Sequence, residues 1–355
     1  SEIRATGNLG FRNVRVDNAN GVLRTSGGTF QLYDGTWISG GVLDGAFELS
    51  KASNSVVRLE NVSITANSSI KTGPYHSTTY LSGTIAKECS ITLSTSTFAA
   101  EGDALITGAG GLNLAGGNLG SADWSDSGRL IFDAQQNVTG YGKIYGDLVN
   151  YGQIQSTGVQ GIQVAGKDAS ETLLLENYGV ISGGEETRFS VSFENTSIVN
   201  NGTLSGGGSY IDFRDSVTIN GGILTGALDF NSSAGTQVVG ATFANASVTV
   251  DGSGLNGAFY IGDNVSIYGG SISGTVTVTG SLAATSVNAS GAEIVFAVSA
   301  PEQNVLIQNL SEISGGRYQV RLPESAAIGS YRLAGGAAAF NAAITVTDSY
   351  GTVLG

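Results

Sequence analysis

The sequence predicts an all-β chain: a parallel β-solenoid over residues 1–290, followed by a small antiparallel β module or cap over residues 291–355. Three observations carry this reading. First, a short phrase recurs, clearest in Ile198-Val199-Asn200-Asn201-Gly202-Thr203-Leu204-Ser205-Gly206 and Thr218-Ile219-Asn220-Gly221-Gly222-Ile223-Leu224-Thr225-Gly226. Second, one column of its five best copies is always apolar: Ile154, Ile181, Leu204, Leu224 and Ile272. The preceding column (Gln153, Val180, Thr203, Ile223, Ser271) is indifferent to polarity. Strand side chains alternate between faces, so the first column points inward and the second outward. Third, helical periodicity is nearly absent. The glycines of the five copies are 27, 23, 20 and 48 residues apart, the last being two turns of 24. Periods of this size mark solenoids.

One coil cannot bury its own apolar face, so each rung needs neighbours above and below, stacked about 4.7–4.9 Å apart. Roughly twelve rungs are expected at this period. Asn150, Asn177, Asn200 and Asn220 share a column just before the turn, where an amide ladder can satisfy its own donors and acceptors. Tyr151 and Tyr178 fill the next column and are expected to stack. The glycines that follow suit a tight corner, since positive φ carries no Cβ penalty there.

In residues 1–60, Phe30 with Leu32 and Phe47 with Leu49 alternate at period two and read as inward pairs. Residues 71–80, KTGPYHSTTY, break the pattern with a proline, the single histidine and two tyrosines, and read as a loop. Loops on a rigid scaffold often bind. Tyr75, His76 and Tyr80 are therefore candidates for stacking on a sugar or touching a protein, beside the plainer reading of a polar loop packed on the solenoid. Residues 94–104 are expected to hold one short helical turn. Residues 122–129, ADWSDSGR, set Trp124 between Asp123 and Asp126, which suits carbohydrate or calcium binding, or a corner tryptophan covering a rung edge. Glu185 and Glu186 read as a solvated loop. Asp212 and Asp229 read as isolated outward residues.

Near Ala289 the character changes. Ile294, Phe296 and Val298 alternate, two of the three prolines follow, and short strands come at hairpin-like spacing. These features define the 291–355 module.

Composition bounds the partners. With 54 Gly, 3 Pro and 41% hydrophobic residues, the chain is neither disordered nor collagen-like. A formal charge of −13 with only 16 Lys plus Arg argues against nucleic acid. A single cysteine, Cys89, excludes an internal disulfide framework and reads as a small buried residue. No stretch has the length of a membrane-spanning helix and no signal peptide is visible. The lack of Met and the strand-like last residues suggest a piece of a longer protein.

Catalysis finds little support. Glycoside hydrolysis needs converging carboxylates, and no adjacent Asp pair or Gly-His-Gly occurs. One histidine gives no credible nucleophile–histidine arrangement. The glycine pairs do not open helices, so no phosphate cradle or other cofactor site is expected. The expectation is no enzyme, no cofactor and no metal.

Phrases such as Val199-Asn200-Asn201-Gly202-Thr203-Leu204-Ser205-Gly206 resemble the passenger regions of bacterial autotransporters and related adhesin-like surface proteins. The resemblance covers about residues 1–290. It implies a right-handed parallel β-helix displayed outside the cell, usually for adhesion or aggregation, with the later strands matching the cap that often precedes a membrane barrel. Neither the barrel nor a leader is in this sequence. The function implied is a secreted or cell-surface structural rod that binds a glycan or protein on another cell, or itself. Two alternatives stand beside it: a polysaccharide-active or carbohydrate-binding β-helix, and a self-assembling fibre subunit.

Overall fold

The computed structural model describes residues 1–74, 76–121, 128–166, 172–186, 190–231, 235–250, 259–301, 303–338 and 340–354. The chain divides into two units, Ser1–Val191 and Ser192–Gly355. Each is a parallel β-solenoid, and each strand pairs with the equivalent strand one coil later in the chain. Among the described residues the one helix is the 3-10 turn Leu310–Glu312, and no helix is long and apolar enough to cross a membrane.

Period-two alternation builds the first unit. Its longest row in register starts at the exposed Leu9, runs through the interior at Phe30, Phe47 and Ile70, and reaches Ile154 over Ile181. Phe30 and Phe47 stack with ring centroids 5.2 Å apart. Leu32 and Leu49 are fully buried beside them, as the alternation predicts. Burying one such side chain contributes about 1.5–3 kcal/mol, so the rows rather than the short strands hold the coil together. Cys89 is buried as well.

The second unit repeats the scheme. Leu204 lies over Leu224, both fully buried, and Phe243 and Ile267 continue that row. Alongside it Phe193, Phe213, Phe230 and Phe259 form an aromatic stack, with centroids 5.6, 4.7 and 4.1 Å apart.

Several expectations are corrected by register. Ile272 stacks on Val248, a different row from that of Leu224, because Ile267 takes the place beneath Phe243. Residues 94–104 hold no helix, since Thr97–Thr107 is a strand paired on both sides. The loop at 71–80 is shorter than read: Ser69–Lys71 and Thr78–Lys87 are strands. At the expected boundary, Val287–Ala297 runs through residue 290 and pairs in parallel with both Ser271–Val278 and Arg317–Arg321. Parallel pairing reaches Ile344–Thr347, and antiparallel pairing appears at the Thr347–Val353 bridge.

Polar side chains line one interior corner of the first unit. The Lys87 ammonium donates to the Gly110 carbonyl and the Gln136 amide to that of Gly108. Asn150 and Asn177 each donate to the carbonyl of the glycine two residues on, Gly152 and Gly179, at 3.3 Å. The Gly152 carbonyl also accepts the Val180 backbone N–H at 3.0 Å, so there the asparagine adds a second donor. A buried polar group left unpaired at such a corner is costly.

Candidate functional site

Four outward side chains lie in register on the successive strands Arg15–Asp17, Thr36–Ser39, Val56–Glu60 and Thr78–Lys87. Arg15 sits beside Trp37, Trp37 beside Arg58, and Arg58 beside Tyr80. One position further along each strand, Val16, Ile38, Leu59 and Leu81 pair in the same order, and the last three are fully buried. Alternation thus fixes the outward column to a packed interior row.

The column alternates arginine with aromatic. The Arg15 guanidinium lies 3.9 Å from the Trp37 ring centroid and that of Arg58 5.1 Å from Tyr80. Arg12 lies 4.7 Å over Tyr33 close by in sequence. Two carboxylates flank the column. Glu60 accepts Trp37 Nε1 at 3.1 Å and Ser39 Oγ at 2.8 Å, with Arg15 Nη2 at 3.9 Å. Glu101 accepts a fork from Arg58, Nε at 2.7 Å and Nη2 at 2.9 Å. An exposed cation–π contact gives about 0.5–1 kcal/mol and a surface ion pair about 0–1 kcal/mol. These sums add little to stability, so the main effect is orientation: long side chains are held in fixed positions on the sheet face.

A second feature of the same unit is a groove of about 590 Å³ lined by Glu48, Lys51, Lys71, Thr72, Pro74 and Thr92, among others. Burial pushes the Glu48 carboxyl up, but Lys51 at 2.6 Å and Lys71 at 3.2 Å pull it down further, and it ends below the usual carboxylate range. Tyr151 and Tyr178 stack at 4.8 Å, both well exposed.

Of the residues singled out by sequence, Tyr80 belongs to the ladder. His76 is exposed at a turn with φ 61°. Tyr75, Asp123, Trp124 and Asp126 lie outside the described residues. Asn150 donates to Asn177 at 2.9 Å, and Asn200 is buried and donates to the Gly221 carbonyl. Asn220 leaves the expected column. The corner after it is one residue shorter, so Asn220 faces Val199 and is exposed. A one-residue slip turns a side chain to the other face. Asp212 and Asp229 are register partners on neighbouring strands rather than isolated, and Asp212 is buried with Arg214 Nε at 2.6 Å.

Sequence reading missed Arg15, Trp37, Arg58, Glu60 and Glu101 because each sits in an ordinary alternating strand. A signal was there: the ladder residues are 22, 21 and 22 positions apart, one coil each. Among the described residues no group of three or more His, Cys, Asp or Glu side chains could hold a metal ion.

No protein-family model matches the chain, and no curated protein or solved structure matches it. What it can do is argued from its own side chains.

Proposed function

We propose that this protein is a structural solenoid of the cell surface that binds a glycan or protein on another cell, through the face bearing Arg15, Trp37, Arg58 and Tyr80. The observation supporting this reading is the outward arginine–aromatic alternation flanked by Glu60 and Glu101. Guanidinium forks, carboxylates and ring edges together match the vicinal hydroxyls of sugars. Their repeat of about 4.8 Å per rung suits a chain-like ligand laid along the solenoid axis. This reading assigns no catalytic step to the face.

A glycan array probed with the protein and with Trp37→Ala and Arg58→Gln variants tests it. Retained glycans should lose at least tenfold in binding in both variants, with unfolding midpoints near that of the parent. An array without any retained glycan, or one unaffected by either change, overturns the ladder as the binding face.

One observation favours the carbohydrate-active alternative. Asp212 and Asp229 stand on adjacent rungs, and retaining glycosidases place their carboxylates about 5 Å apart. Release of reducing ends from acidic polysaccharides, abolished by Asp229→Asn, would support that alternative in place of the adhesive one.

A further inference from the structure

The sequence contains ten Asn-x-Ser/Thr triplets without proline at the middle position, about twice what its Ser and Thr content would place there at random. The fold gives them a common setting. In Asn61-Val62-Ser63, Asn137-Val138-Thr139, Asn264-Val265-Ser266 and Asn288-Ala289-Ser290 the middle residue is fully buried. At Asn137 and Asn288, which lie in strands, alternation therefore turns the asparagine and the hydroxyl outward, while Asn61 and Asn264 are exposed at corners with φ 52° and 59°. Nine of the ten asparagines are exposed, Asn195 being half-buried. At Asn288 the geometry goes further. Its Oδ1 accepts the Ser290 backbone N–H at 3.0 Å and the Ser290 hydroxyl at 2.7 Å. The amide oxygen is thereby turned onto its own serine, and Nδ2 is left as the outer end of the side chain.

We propose that the chain is an N-glycan acceptor, modified at Nδ2 of these outward asparagines, with Asn288 the best-prepared site. In the reaction Nδ2 attacks C1 of a phosphate-activated sugar. The C1–N bond forms and the C1–O bond to phosphate breaks with its electron pair on the phosphate oxygen. One amide proton passes to a base of the transferase. The hydroxyl two residues on, bonded to the acceptor amide, holds that amide in an Asx-turn. Sugars placed this way stand out from the sheet faces and leave the interior rows untouched.

Two donors share this chemistry, so the test has two arms. The full chain is co-produced with an oligosaccharyltransferase and its lipid-pyrophosphate-linked oligosaccharide, or incubated with an N-glycosyltransferase and a nucleoside-diphosphate hexose. Peptide mass spectrometry then reads each asparagine. The expected result is sugar on Asn288 and on further triplets in at least one arm, the responding arm naming the donor. Ser290→Ala should cut occupancy of Asn288 at least tenfold while Ser290→Thr keeps it, and Thr139→Ala should do the same at Asn137. Asn150 and Asn177, outside any triplet and buried, should stay bare. Absence of sugar from every triplet in both arms overturns the proposal, and so does undiminished sugar on Asn288 in Ser290→Ala.

Discussion

Asn150 donates its side-chain amide to Oδ1 of Asn177, 2.9 Å away and one coil later in the chain, and both side chains are fully buried. The bond links rungs by side chains where the backbone turns a corner. Replacing Asn177 by Ala removes the side-chain donor to the Gly179 carbonyl and leaves one of the two buried Asn150 amide N–H groups unpaired, the other still reaching Gly152, at a cost of about 1–3 kcal/mol. The urea midpoint should fall accordingly. Changing Asn150 and Asn177 together to Leu should cost less than the two single changes summed, because no buried donor is then left unpaired.

Lys87 occupies an interior position below Ile64, where earlier coils carry Leu23 and Leu43. Burial lowers its pKa from 10.5 to about 8. The folded value lies below the unfolded one, so between these pH values the unfolded chain binds more protons and stability rises with pH. The penalty is complete below pH 8 and gone above 10.5. It amounts to about 3 kcal/mol. We expect the urea midpoint to increase from pH 7 to pH 10, and Lys87→Met to remove that dependence. At pH 7 the variant should be more stable by about 1–2 kcal/mol, since losing the bond to Gly110 offsets part of the gain.

Phe230 is clasped between Phe213 and Phe259 at 4.7 and 4.1 Å. Phe230→Ala opens a cavity in the middle of that stack and should cost about 3–5 kcal/mol. Phe230→Leu, which keeps most of the volume, should cost less than half as much. Denaturant unfolding followed by near-ultraviolet circular dichroism checks both.

Gly222 has φ +72°, and a methyl group built on it would overlap the Asn200 amide. Gly222→Ala combines left-handed strain with displacement of a buried polar side chain, and should cost about 2–4 kcal/mol. Gly351, also at positive φ (+85°) but with open space around it, supplies the control. Gly351→Ala should cost about 1 kcal/mol.

How much was legible depended on whether the signal was local. Interior positions such as Phe30, Phe47, Ile154 and Leu204 follow from alternation within a few residues, and corners from Asn and Gly. The stack of Tyr151 on Tyr178 could be anticipated because both follow the same Asn-to-Gly corner. The arginine–aromatic ladder could not, because each member looks ordinary in its own strand and acquires its neighbours one coil away. Asn220 and Ile272 were misassigned for the complementary reason: their local phrase matches while the coil length differs by a residue or more.

The amino-acid order alone therefore determined that this chain coils, which side chains go inside, and where the backbone turns. These are set by hydrophobic alternation and by residues that tolerate positive φ. Tertiary structure decided which coil position lies above which. That register is a sum over corner lengths, and one residue more or less exchanges inside for outside. The pairing of Arg15 with Trp37, of Arg58 with Tyr80 and of Asp212 with Asp229 exists only after that sum is taken.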